Sequence, residues 1–95
     1  MNAVTAAEVR TFLLSRFEES LAASGLGPET VPDAFDLLTE GIVDSFGILE
    51  MIMGIEEHFG IVIDYENIDP QDLTVVGPLS RFVAQQAASM NSDGG

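Results

Sequence analysis

The chain has no cysteine, no lysine and no tryptophan, and only one histidine, one tyrosine and three arginines among its 95 residues. Without cysteine there can be no disulfide, no thiolate metal site and no cysteine nucleophile. No segment approaches about 18 consecutive apolar residues, which removes the ordinary signal for a membrane-spanning helix. Met1 to Ala7 show no basic stretch followed by an apolar run, so no secretory signal is read there, and a cytoplasmic location is expected. The shortage of positive charge is the strongest of these gaps. Arg10, Arg16 and Arg81 face 16 acids, for a net charge of −13, and the stretch from Phe17 to Ser80 contains no basic residue other than His58. Such a field repels nucleic acid and anionic lipid, because both bind by exchanging their counterions for protein cations. Neither is expected as a partner; a basic protein surface is.

What is present suffices for one folded domain. At 46% hydrophobic residues the chain can bury a core, and no linker, repeat or second domain interrupts it. The expectation is a monomer, a single domain over 1–95 with its core in about 5–88, and a flexible tail over 91–95. Thr5-Ala-Ala-Glu8 has the form of a capping box, followed by Val9, Phe12, Leu13, Phe17 and Leu21 on one helical face, up to Gly25. From Pro28 to Gly41 the pattern is irregular, with Val31, Phe35, Leu37 and Leu38 as anchors. A second helix runs from an Asp44 cap to Phe59, with Gly60 placed for a left-handed stop. Ile61-Val62-Ile63 reads as a buried connector, a short turn is expected around Glu66 to Ile68, and a last helix opens between Thr74 and Pro78, the first as its cap or the second as its first-turn proline. The fold class is therefore all-α: a small bundle of three main helices and one minor one.

The helix over 45–59 has two apolar faces. At about 100° per residue, Ile48, Met51, Ile52, Ile55 and Phe59 share one arc, while Phe46, Leu49 and Met53 fall on another, bordered by Glu50, Glu56 and Glu57. One stripe is enough to fold a surface helix. The second must lie under the 28–41 loop, stand exposed or meet a partner. An apolar strip ringed by acids has the character of a docking surface, and methionine suits one that accepts several partners.

Ser45 is the residue with the most chemical interest. As a hydrolytic nucleophile it would need a base within hydrogen-bond reach. His58 is 13 positions on along the same helix, roughly 20 Å away and on a different face, and no lysine can replace it. Enzymatic activity is not expected. A calcium loop starting at Asp64 fails as well, with Asp69 where the turn glycine belongs and Val75 where the bidentate glutamate belongs; no metal site is expected. Two readings of Ser45 stay open: an ordinary capping residue, or a serine carrying a phosphodiester, which a helix N-terminus would favour.

Asp44-Ser45-Phe46, Glu50-Met51-Ile52-Met53 and Glu56-Glu57-His58-Phe59-Gly60-Ile61, followed by Ile63-Asp64 and Thr74-Val75, resemble the phosphopantetheine-binding acyl carrier and peptidyl (aminoacyl) carrier proteins, with matching order and spacing over nearly the whole chain. The resemblance implies a four-helix bundle with a short third helix. It implies a 4′-phosphopantetheine arm on Ser45, with Asp44 in the recognition motif of a phosphopantetheinyl transferase. Phe46, Leu49 and Met53 would be docking positions, with Glu50, Glu56 and Glu57 meeting basic partners. Those partners would be a loading enzyme, either an adenylating ligase or an acyltransferase, and a downstream synthase or transferase. Phe46 stands where the family usually has leucine, Gly47 where an acid is common, and Ile48 where a small polar residue is usual. The lead-in Glu40-Gly41-Ile42-Val43 is more similar to stand-alone carriers of specialised polyketide or non-ribosomal peptide pathways. A primary fatty-acid carrier and a D-alanyl carrier are alternatives within the class, and an unmodified acidic adaptor is the alternative outside it.

Overall fold

Thr5 starts the first helix. Its hydroxyl accepts from the Glu8 amide at 3.1 Å while the Glu8 carboxylate accepts from the Thr5 amide at 3.2 Å, closing the capping box. In the computed structural model, which describes residues 4–93, this helix is α1, Ala6–Arg16. It does not run on to Gly25. Phe17 leaves helical geometry, with φ −107° and ψ 20°, and α2, Glu18–Ala23, resumes beyond it. Leu13 and Leu21 are buried on either side of the break, so the apolar spacing stays helical and periodicity does not register the interruption. Gly25 then turns the chain with φ +80°, a conformation that suits glycine.

The next helix, α3, is Ser45–Phe59, and the last, α4, is Val76–Asp93. Between them a single 3₁₀ turn covers Tyr65–Asn67, capped by the Asp64 carboxylate on the Glu66 amide at 3.0 Å. The expected minor helix is this turn, begun one residue earlier. α4 also outlasts its expected end: it continues through Asp93, because no glycine or proline stands between Pro78 in its first turn and Gly94. Of the expected tail, 91–93 is thus helical, and 94 and 95 lie outside the described residues. Among the described residues there is no strand, only an isolated antiparallel bridge between Asp36 and Val75. The architecture is all-α.

That bridge explains the long 28–41 segment. The loop lies along the start of α4 and supplies the carbonyls its first amides need: Val76 donates to Phe35 O at 3.0 Å and Gly77 to Asp33 O at 2.8 Å. Leu37 donates back to Thr74 O at 2.8 Å. Thr74 consequently does not cap α4. Its hydroxyl donates to the Asp36 carboxylate at 2.7 Å, which also takes the Leu38 and Thr39 amides at 3.0 and 3.2 Å. A β-carbon at Gly77 would lie 2.1 Å from the Asp33 carboxylate, so a larger residue there would have to push that exposed side chain aside. α1 packs against α4, and the core joins Val9 and Leu13 of α1 to Met51, Ile52 and Ile55 of α3 and to Leu79 and Val83 of α4.

Burial pushes the Asp36 carboxyl up, but the hydrogen bonds from the Thr74 hydroxyl and from Thr39 and Leu38 together outweigh it and hold it below the usual carboxylate range. A depressed folded-state value contributes stability that is complete above the unfolded value, about 3.9, and is lost as pH falls through the folded one. Asp36→Ala should therefore cost about 1–3 kcal/mol in urea unfolding at pH 7. Its difference from the parent should shrink as the pH is taken below about 4; a pH-independent difference would assign the loss to packing instead.

Candidate functional site

α3 begins from a fixed point. Val43 is buried and donates to Leu37 O at 3.1 Å, which ties the helix entry to the loop. Asp44 follows in extended geometry, with φ −106° and ψ −177°, and its carboxylate accepts from the Gly47 amide at 2.7 Å. Its carbonyl takes the Ile48 amide at 3.0 Å. This is an N-cap, and Asp44 makes it, not Ser45. A β-carbon at Gly47 would stand 3.2 Å from Asp44 Oδ1 and 3.5 Å from Val43 Cβ, a close but not prohibitive approach.

Ser45 is the first residue of α3 and is exposed. Its hydroxyl makes no hydrogen bond among the described residues, so the capping reading of this serine falls away. Asp44 satisfies the Gly47 and Ile48 amides, which leaves the Ser45 and Phe46 amides at the open helix end. A phosphodiester on Ser45 would meet free N–H groups and the positive end of the helix dipole. His58 lies in the last turn of the same helix, its ring stacked on Phe12 at 4.4 Å and 26°, with Phe59 edge-on to both. The thirteen-position separation of Ser45 and His58 along the helix places the two roughly 20 Å apart. His58 instead lines an open groove of about 540 Å³ between α1 and the far end of α3.

The second apolar arc is exposed. Phe46, Leu49 and Met53 are 70%, 58% and 63% exposed, so the 28–41 loop does not cover them. The opposite arc holds Met51, Ile52 and Ile55, all essentially buried. Glu50 and Glu57 are exposed beside the strip. Glu56 is different: it is half-buried, and its Oε2 accepts from the Ile63 amide at 2.8 Å. The resemblance implied three equivalent rim acids; here one of them also holds the connector that follows the helix.

Two further features carry no strong sequence signal. Gly54 leaves a notch that the Arg16 guanidinium fills, with Nη1 3.0 Å from where a β-carbon would be and Nη2 3.4 Å from Glu50 O. An isolated glycine inside a helical pattern is the only hint of such a notch. Val62 is the second, 69% exposed between buried Ile61 and Ile63. The acids after it act as turn caps: Asp64 on Glu66 and Asn67, and Asp69 on the Gln71 amide at 3.0 Å. Among the described residues no three His, Cys, Asp or Glu side chains gather as a metal site, and no helix is long and apolar enough to cross a membrane. Comparison with protein-family models, with curated proteins and with solved structures gave no match.

Since Asp44 caps α3 and the Ser45 hydroxyl has no partner among the described residues, the two neighbours should respond differently to truncation. Asp44→Ala should lower unfolding stability by about 1 kcal/mol, with Asp44→Asn recovering most of it. Ser45→Ala should stay within about 0.5 kcal/mol of the parent. Denaturant midpoints measure both, and a large loss in Ser45→Ala would return the serine to a structural role.

Proposed function

We propose that the chain is a carrier protein of the acyl and peptidyl carrier kind, its helices forming that family's bundle. It would hold an acyl or aminoacyl group on a 4′-phosphopantetheine arm at Ser45 and present it to partner enzymes, in biosynthesis of the specialised polyketide or non-ribosomal peptide type. The observation that carries this is the start of α3: an exposed, unbonded serine at the first helical position, capped by its own neighbour, opening a helix with an apolar strip turned to solvent.

The residues fit the group. Ser45 Oγ is accessible, and the open helix end offers amides and dipole to a phosphodiester. In the attachment step, run by a separate transferase, Ser45 Oγ bonds to the β-phosphorus of coenzyme A. The bond from that phosphorus to the oxygen bridging to 3′,5′-ADP breaks, and the hydroxyl proton passes to a base of the transferase. When bound, the arm supplies a thiol that carries its cargo as a thioester. The chain's own residues then serve recognition. Phe46, Leu49 and Met53 provide apolar contact, while Glu50 and Glu57, within the −13 field, steer a basic partner.

Incubation with coenzyme A and a broad-specificity phosphopantetheinyl transferase should add one phosphopantetheine to the intact mass, and Ser45→Ala should abolish the gain. No gain, or a gain that survives in Ser45→Ala, overturns the carrier reading and leaves an acidic adaptor. Charge reversal at Glu50 or Glu57 should slow association with a basic partner and flatten its salt dependence. Stopped-flow rates across ionic strength read this out; unchanged rates in both variants would make those acids merely solvating.

A further inference from the structure

Glu56 grips the chain on both sides of Val62. Its backbone carbonyl accepts from the Ile61 amide at 3.1 Å, and its carboxylate accepts from the Ile63 amide at 2.8 Å. Ile61 and Ile63 are buried, so the residue between them is turned outward, and 69% of Val62 is in solvent. Gly60, with φ +66°, makes the reversal that brings this connector back beside the last turns of α3. The Asp64 amide, donating to Gln86 Oε1 at 3.0 Å, fixes the far side to α4.

Leu49, Met53 and Glu56 stand at i, i+4 and i+7, and therefore on one face of α3. The connector that Glu56 holds on both sides of Val62 therefore runs beside the C-terminal end of that face. We propose that Val62 is a fourth member of the docking surface and that Glu56 is the positioning residue that holds it there. The surface then runs from Phe46 past Leu49 and Met53 and off the helix onto Val62, with Glu50 and Glu57 along its flank. Its partner is a basic protein surface whose apolar patch extends past the C-terminal end of α3. A second copy of this chain does not fit, because face-to-face strips would bring two −13 fields together. This extends the docking strip of the proposed carrier and rests on that part of the reading alone.

A synthetic amphipathic helix of about 14 residues, about 21 Å long, with leucines on one face and lysines flanking them, is a probe of the required chemistry. Titrated into the full chain, it should shift the methyl resonances of Leu49, Met53 and Val62 together. Val62→Asp should weaken binding by about tenfold, and Val62→Thr by less, with the thermal midpoint of both unchanged because the side chain is exposed. Glu56→Ala should speed hydrogen exchange at the Ile63 amide, and in that background Val62→Asp should lose most of its effect. Val62 methyls that stay in place while Met53 shifts would overturn the proposal, as would Val62→Asp binding like the parent. Failure here is separable from failure of the carrier reading, since Ser45 can take up the arm whether or not a partner reaches Val62.

Discussion

The burial of one arc of α3 is the constraint from which the rest of the molecule follows. Met51, Ile52 and Ile55 are all but completely removed from water, and Ile48 and Phe59 pack against the same core. Fully burying side chains of this size is worth about 1.5–3 kcal/mol each, far more than a surface contact. That preference fixes the rotation of the helix. With a turn of about 100° per residue, the rotation leaves Phe46, Leu49 and Met53 no route inward. Their exposure is thus enforced by the core, and the energy they retain is available only to something outside the chain. The Asp44 cap then sets where the helix starts, so Ser45 stands at the open end of the same element.

The acids divide by what they do at home. Glu8, Asp33, Asp36, Asp44, Asp64 and Asp69 accept hydrogen bonds within the fold, mostly from backbone amides at turns and helix starts. Such bonds suit a chain without lysine, because amides take over the work that cations do elsewhere. The three arginines are equally committed: Arg10 to Val31 O, Arg16 over Gly54, and Arg81 to Asp33 at 3.0 Å. Glu50 and Glu57 are exposed beside the apolar strip, as Glu18, Glu19, Glu29, Glu40 and Glu66 are elsewhere on the surface. Sign and hydrophobicity therefore coincide on one face, a combination suited to steering first and holding afterwards.

How much of this could be read in the sequence depends on the range of the interactions involved. The Thr5 capping box, the Asp44 start and the Gly60 stop of α3 are local, and each was visible as a short pattern of residue types. The two faces of α3 were visible as well, because helical spacing alone separates them. The break at Phe17 was not, since one non-helical residue leaves the periodicity of Leu13 and Leu21 intact. Nor was the pairing of Asp36 and Val75: contacts between residues that far apart along the chain leave no local mark, and Thr74 looked like a helix cap when it is a donor to Asp36. The same limit hid the double hold of Glu56 on the connector. Its spacing made it a rim acid; only the folded return of Ile61-Val62-Ile63 gives it a partner within the chain.

The central claim is that Ser45 Oγ carries a phosphodiester-linked arm. The most direct measurement is the ³¹P spectrum of the protein after treatment with coenzyme A and transferase, freed of small molecules. A single phosphodiester resonance, insensitive to pH across neutrality and absent from Ser45→Ala treated in the same way, is the result this account predicts. A spectrum without phosphorus, or one whose signal persists in Ser45→Ala, would contradict it.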